Sequence, residues 1–132
     1  MNLRFLVDTD WVIEYLRGTP AMVTRLTELQ PQGLALSIIS LAELYEGVFY
    51  SRDPDGDGQD LADFLRGVTV LGIDADIAQL FGRERGRLRA AGMMIGDFDL
   101  LIGATAVHNN LTLLTNNRNH FERIDGLTIE SV

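Results

Sequence analysis

Apolar positions along the chain follow two periods. Short runs rich in strand formers recur at LRFLVD (3–8), LALS (34–37), VTVLG (68–72), LTLLT (111–115) and LTIES (127–131), and each predicts a buried strand. Between them the spacing turns helical. DWVIEYLRG (10–18) is stopped by Gly18, and PAMVTRLTELQ (20–30) is opened by Pro20. SLAELYEGVFY (40–50) places Leu41, Leu44, Tyr45 and Val48 on one face. DLADFL (60–65) predicts a short helix, and DADIAQLFGRERGRLRAAG (74–92) a long one. GDFDLLIGATA (96–106) predicts a buried helix reaching about His108, and RNHFERI (118–124) a single turn. Strands alternating with helices predict an α/β fold: a central, mostly parallel sheet of about 4–5 strands with helices on both faces. Residues 1–132 are expected to form one domain. In such sheets ligands gather beyond the carboxyl ends of the strands. Asp8 and Thr115 both end strands there.

Composition narrows the chemistry. The 46% hydrophobic and 23% charged content is ordinary for a globular chain. No apolar run approaches the roughly 18 residues of a membrane span, and MNLRFLVDTD has no secretory layout. Without cysteine there is neither a disulfide framework nor a thiolate site, which suits the cytoplasm. The net charge is −8, and all 11 basic residues are arginine. An acidic total opposes indiscriminate nucleic-acid binding. A local basic stripe remains at Arg83, Arg85, Arg87 and Arg89, which is either a solvated helix face or a contact for phosphates.

DPDGDG (53–58) has the acidic spacing that opens an EF-hand loop, but the twelfth position from Asp53 is Phe64 rather than a bidentate glutamate. A mobile, solvated turn is expected there instead. The remaining acids each have a modest explanation taken singly. Asp97 or Asp99 could cap the helix they open. Glu43 could close a capping box with Ser40, and Asp8 could cap the helix starting near Asp10. Taken together, Asp8, Glu43 and Asp97/Asp99 all sit at junctions that a parallel sheet can bring to one edge. Carboxylates that converge repel, so they protonate or take up a cation. No lysine exists to serve, and neither histidine lies in a ligand-spaced pair. Oxygen-only donors favour Mg²⁺ or Mn²⁺. The expected reaction is phosphodiester hydrolysis by metal-activated water, with Asp10, Asn117 and Thr115 in supporting places.

These residues resemble the PIN-domain ribonucleases, and within them the VapC toxins of toxin–antitoxin pairs. FLVDTDWVIEYLRG is similar to the family's opening strand, acid and helix. SIISLAELYEGV resembles its S-x-x-S/T-x-x-E-L-x-x-G segment, and GDFDLLIGATAVHNNLTLLTNNRNHFERIDGLTIE its C-terminal block. The resemblance implies a three-layer PIN-like sandwich. It matches Asp8, Glu43 and Asp99 to the family's three acids, and Asp97 to a position often acidic in relatives. Asn117 stands where many members carry a fourth acid, and the tail IESV lacks the tryptophan common in relatives. It further implies Mg²⁺- or Mn²⁺-dependent endoribonuclease activity, often on a structured RNA such as transfer RNA, together with a homodimer and a VapB-type antitoxin. An acidic pocket accepts an arginine from such a partner, and Trp11, Ile13, Tyr15 and Leu16 offer a groove for an amphipathic helix.

Two rivals remain. DTDWVI (8–13) also fits a haloacid-dehalogenase-type phosphatase with Asp8 as nucleophile. The lysine-free composition counts against that reading and against a response-regulator receiver. The other rival is a catalytically inert PIN module that only binds a partner.

Overall fold

The structure, a computed structural model, describes residues 2–132. Five strands form one parallel sheet: β1 (Phe5–Val7), β2 (Leu34–Ser37), β3 (Thr69–Leu71), β4 (Thr112–Leu114) and β5 (Ile129–Glu130). Their spatial order is β3-β2-β1-β4-β5. The chain therefore leaves β1 towards one side for β2 and returns on the other for β4. The crevice between the carboxyl ends of β1 and β4 is the topological switch point, where open parallel sheets bind ligands.

Seven helices cover the two faces. One layer holds α1 (Thr9–Leu16), α2 (Pro20–Leu29), α3 (Ile38–Phe49) and α4 (Pro54–Leu65), and the other α5 (Ala75–Ala90), α6 (Asp97–His108) and α7 (Arg118–Phe121). The period-2 geometry of strands divides the core between them. Phe5, Val7, Leu34, Leu36 and Leu114 pack with Trp11, Leu26, Leu44 and Leu61. Leu6, Ala35 and Leu113 pack with Leu88, Ile102, Ala106 and Phe121. In β1, β2 and β4 both faces are thus buried, which is why these strands read as continuous apolar runs. No helix among the described residues is long and apolar enough to cross a membrane.

The turn expected over 53–58 is helical instead. Asp53 accepts a hydrogen bond from Gly56 N at 3.1 Å, Pro54 occupies the first turn, and Asp55 and Asp57 lie beside the positive end of the helix dipole. Those three contributions outweigh the roughly 1 kcal/mol that each glycine costs a helix. The capping box at Ser40–Glu43 also gives way. The cap of α3 is Ser37, whose hydroxyl accepts from Ile39 N, so α3 starts earlier and Glu43 falls in its second turn. Ser40 Oγ is buried without a hydrogen-bond partner among the described residues.

Gly103 sets the approach of α6 to the segment after α7, because a methyl group there would collide with Ile124 Cδ1. That contact seats α7, whose residues reach the switch point.

Candidate active site

Asp8 follows β1 directly. Its backbone N–H continues the ladder to Leu114 O at 2.9 Å, so the residue is held at the switch point by the sheet itself. Its side chain is 4% exposed and caps α1, accepting from Thr9 N at 2.8 Å. The other oxygen accepts from Thr115 Oγ1 at 2.7 Å across the β1–β4 crevice. Asn117 N donates to Thr115 Oγ1 at 3.0 Å, which fixes the direction of that hydroxyl proton.

Asp10 lies two residues on, in the first turn of α1. Its carboxylate accepts from Trp11 N at 2.8 Å and from Asn116 N at 3.0 Å, and it approaches Thr115 Oγ1 at 3.5 Å. Glu43 is reached through Thr9, whose hydroxyl donates to Glu43 Oε1 at 2.8 Å. Thr9 thereby joins two acids, by its N–H to Asp8 and by its side chain to Glu43. Asp99 comes from the first turn of α6, close enough to Asp8 for its charge to raise the Asp8 pKa. The cap of α6 is Gly96, so neither Asp97 nor Asp99 is used as a cap.

Burial is the main cause that pushes the Asp8 carboxyl up to about 7, with the charges of Asp10 and Asp99 adding to it against the hydrogen bonds from Thr115 and Thr9. Asp10 is also raised, again mostly by burial. Among the described residues no arginine pairs with Asp8, Asp10, Glu43 or Asp99. These carboxylates gather at one edge with no arginine or lysine beside them and offer oxygens of the kind a hard divalent ion takes, although among the described residues no three of their ligand atoms lie within 4.8 Å of one another.

Not every candidate joins this group. Asp97 turns to α5, where Arg85 Nε donates to it at 2.8 Å. Arg87 is committed elsewhere: it grips the nearly buried Glu84 with Nε and Nη2 at 3.1 and 2.7 Å, pairs with Asp125, and donates to Arg123 O. That network lowers the Glu84 pKa and ties α5 to the loop before β5. Arg83 and Arg89 are exposed and make no ion pair among the described residues.

Two features were missed from the sequence. His120 Nδ1 on α7 lies 3.0 Å from Asp99 Oδ2 and 3.1 Å from Asn117 Nδ2. Only the short tether through α7 brings it there, and no ligand spacing in the sequence announces it. The tail also matters: Ser131 Oγ donates to Thr115 O at 2.6 Å, and Asn116 Oδ1 accepts from both Val132 N and Trp11 Nε1 at 3.0 Å. Thr115 and Asn116 are thus braced from behind. Among the described residues, the acids and histidine whose ligand atoms all lie within 4.8 Å of one another form a separate exposed trio, Asp74, Asp76 and His108. It joins the start of α5 to the end of α6, nine residues or about 13 Å along α6 from Asp99.

A groove of about 310 Å³ opens beside Glu43, with Ile13, Leu16, Leu44 and Val48 as its apolar walls and Arg17, Asp57 and Asp60 at its margin. Of the apolar residues expected to line it, Trp11 is buried in the core and Tyr15 packs on Phe64 at 5.2 Å.

A family model described as "PIN domain" matches residues 5–127. The chain is 32% identical over 128 residues to the tRNA(fMet)-specific endonuclease VapC of Shigella flexneri, covering 97% of each chain. It is 35% identical over 121 residues to Ribonuclease VapC1 of Methanocaldococcus jannaschii, covering 92% of this chain and 81% of the relative. Among solved structures, VapBC2 from Rickettsia felis bound to a promoter DNA fragment is similar with a TM-score of 0.92 and 30% identity, over 98% of this chain and 99% of the other.

Proposed function

The chain belongs to the PIN-domain family, and from that premise we propose that it is an endoribonuclease, the toxin of a VapBC-type toxin–antitoxin pair. Relatives named as VapC ribonucleases support this over nearly their full length. They leave the phosphatase reading of Asp8 without support.

The observation that carries the mechanism is Asp8 at the switch point, near Asp10, Asp99 and the Thr9-linked Glu43, with no arginine among them. Asp8, Glu43 and Asp99 would hold Mg²⁺ or Mn²⁺. When bound, such an ion acidifies a coordinated water and neutralises charge developing on the phosphate. The chain's own part is positioning. Thr115 aims one oxygen of Asp8, Thr9 fixes the other and orients Glu43, and Asn117 fixes Thr115. Asp10 keeps the β4–α7 loop in place through Asn116 N. Asp97 is set aside from the ligand group by Arg85. Arg83 and Arg89 stand at the RNA path, because the end of α5 lies beside the Asp97 end of α6.

The partner is a VapB-type antitoxin, as in the VapBC assemblies of similar structures. Its amphipathic helix occupies the groove between Ile13, Leu16, Leu44 and Val48, which ends at Glu43 and so brings a partner arginine to the acids. The chain forms a homodimer through the exposed apolar face of α3, where Ile38, Tyr45 and Phe49 lack cover and the two rings stack at 6.0 Å. It works as a single domain in the cytoplasm, on a structured RNA such as transfer RNA.

The test is RNA cleavage by the antitoxin-free protein with Mg²⁺, with EDTA, and in Asp8→Asn and Asp99→Asn variants. Cleavage should require the ion and both acids. Undiminished cleavage in EDTA would refute the metal mechanism, and an inactive protein that still binds a helical partner would favour the inert module.

A further inference from the structure

The oxygen donors at the switch point are already heavily engaged. Both oxygens of Asp8 accept hydrogen bonds, from Thr9 N and Thr115 Oγ1. Those of Asp10 accept from two backbone N–H groups, and Glu43 Oε1 accepts from Thr9. An ion there would share these oxygens with their hydrogen-bond donors. Asp99 is the exception, because its recorded contact is to a ring nitrogen, His120 Nδ1 at 3.0 Å. That nitrogen also faces the Asn117 amide at 3.1 Å. Nδ1 carries either a proton or a lone pair. It can donate to Asp99 or accept from Asn117, but not both, so the protein alone leaves one of these contacts unsatisfied.

We propose that His120 is a ligand of the ion held by Asp99, donating through Nδ1 and making the site one of mixed oxygen and nitrogen donors. The proposal rests on the metal reading given above. Imidazole favours first-row transition ions over Mg²⁺, so this chain discriminates between the two more strongly than an all-carboxylate site would. The ring stands at the lip of the cleft on α7, packed beside the close approach of Gly103 to Ile124, and already lies against Asp99, so that no strand need move for the two to share an ion.

Mn²⁺ is the probe, added alone to the untagged full chain. The chain has two histidines, and His108 belongs to the exposed trio with Asp74 and Asp76, so the measurement is made on His108→Gln. Electron spin-echo envelope modulation of the Mn²⁺-loaded protein should show coupling to an imidazole ¹⁴N. Adding His120→Gln should abolish that coupling and weaken Mn²⁺ binding by about tenfold, while Mg²⁺ affinity changes much less. Bound Mn²⁺ that is lost in Asp99→Asn yet shows no ¹⁴N coupling would overturn the role of His120 and leave the oxygen site standing. Failure of Mn²⁺ to bind at all would overturn both.

Discussion

Replacing Asp8 by asparagine should make the metal-free protein more stable while abolishing cleavage. The Asp8 carboxyl has its pKa raised from 3.8 to about 7 by burial and by its acidic neighbours. A shift of about three units corresponds to about 4 kcal/mol, at 1.36 kcal/mol per unit. The folded state holds this proton more tightly than the unfolded chain does. Stability therefore falls as pH rises from about 4 to about 7, and the full cost is present above that range. Asparagine removes the charge and keeps the geometry: its oxygen can still accept from Thr9 N, and its amide can donate to Thr115 Oγ1. Allowing for an imperfect fit to Thr115, Asp8→Asn should gain about 2–3 kcal/mol at pH 8, or about 10 °C in Tm for a chain of this size. The gain should fade towards pH 4. The assay is urea denaturation in EDTA at pH 4.5, 6 and 8, repeated with Mn²⁺. The ion at 100 times its Kd should stabilise the wild type by about 2.7 kcal/mol and the variant hardly at all. A gap that is absent at pH 8, or independent of pH, would refute the electrostatic account of the site.

Other outcomes follow from the same contacts. Asp97→Asn should cost cleavage only a few-fold, because its partner is Arg85 and not the acid group, whereas Asp99→Asn should abolish it. Glu84→Gln should destabilise the fold, since it removes the carboxylate that Arg87 grips, leaving Arg87 only Asp125 as an ion-pair partner among the described residues, and weakens the bond from Asp125 N; chemical denaturation measures it. Arg83→Ala and Arg89→Ala should each lower the salt slope of RNA binding by about one, leaving stability unchanged, while Arg87→Ala should chiefly destabilise. Gly103→Leu should cost about 1–3 kcal/mol by overpacking Ile124.

The strands were legible because β1, β2 and β4 are buried and read as apolar runs, LALS matching β2 residue for residue, while the exposed β3 and the half-buried β5 still carry strand-forming residues. The helix over 54–59 was not, since Gly56 and Gly58 lower its propensity. What restores it is the cap from Asp53 and the acidic first turn, local hydrogen-bond chemistry that a hydrophobic pattern does not carry. Asp8 could be named because it ends a strand, Glu43 because it lies early in the helix after one, and Asp99 because it opens an apolar helix. Their supports could not. Ser131 and Val132 brace Thr115 and Asn116 from the far end of the chain, and His120 meets Asp99 across 21 residues. Contacts of that kind depend on crossover geometry, which leaves no periodic trace.

The misread capping box shows why function and local structure compete at these junctions. Had Ser40 been the cap of α3, Glu43 would have turned back to the backbone N–H of Ser40 and been unavailable. Starting the helix at Ile38, with Ser37 as cap, moves Glu43 beyond the range of any orphan N–H. Its carboxylate is then free for Thr9 and the acid group. The same displacement leaves Ser40 Oγ buried without a partner, an expense of about 1–3 kcal/mol. Ser40→Ala should therefore be neutral or stabilising in denaturant, with Glu43 undisturbed. A loss of more than about 1 kcal/mol would mean that the hydroxyl is satisfied in solution, and that the early helix start does not carry the cost assigned to it.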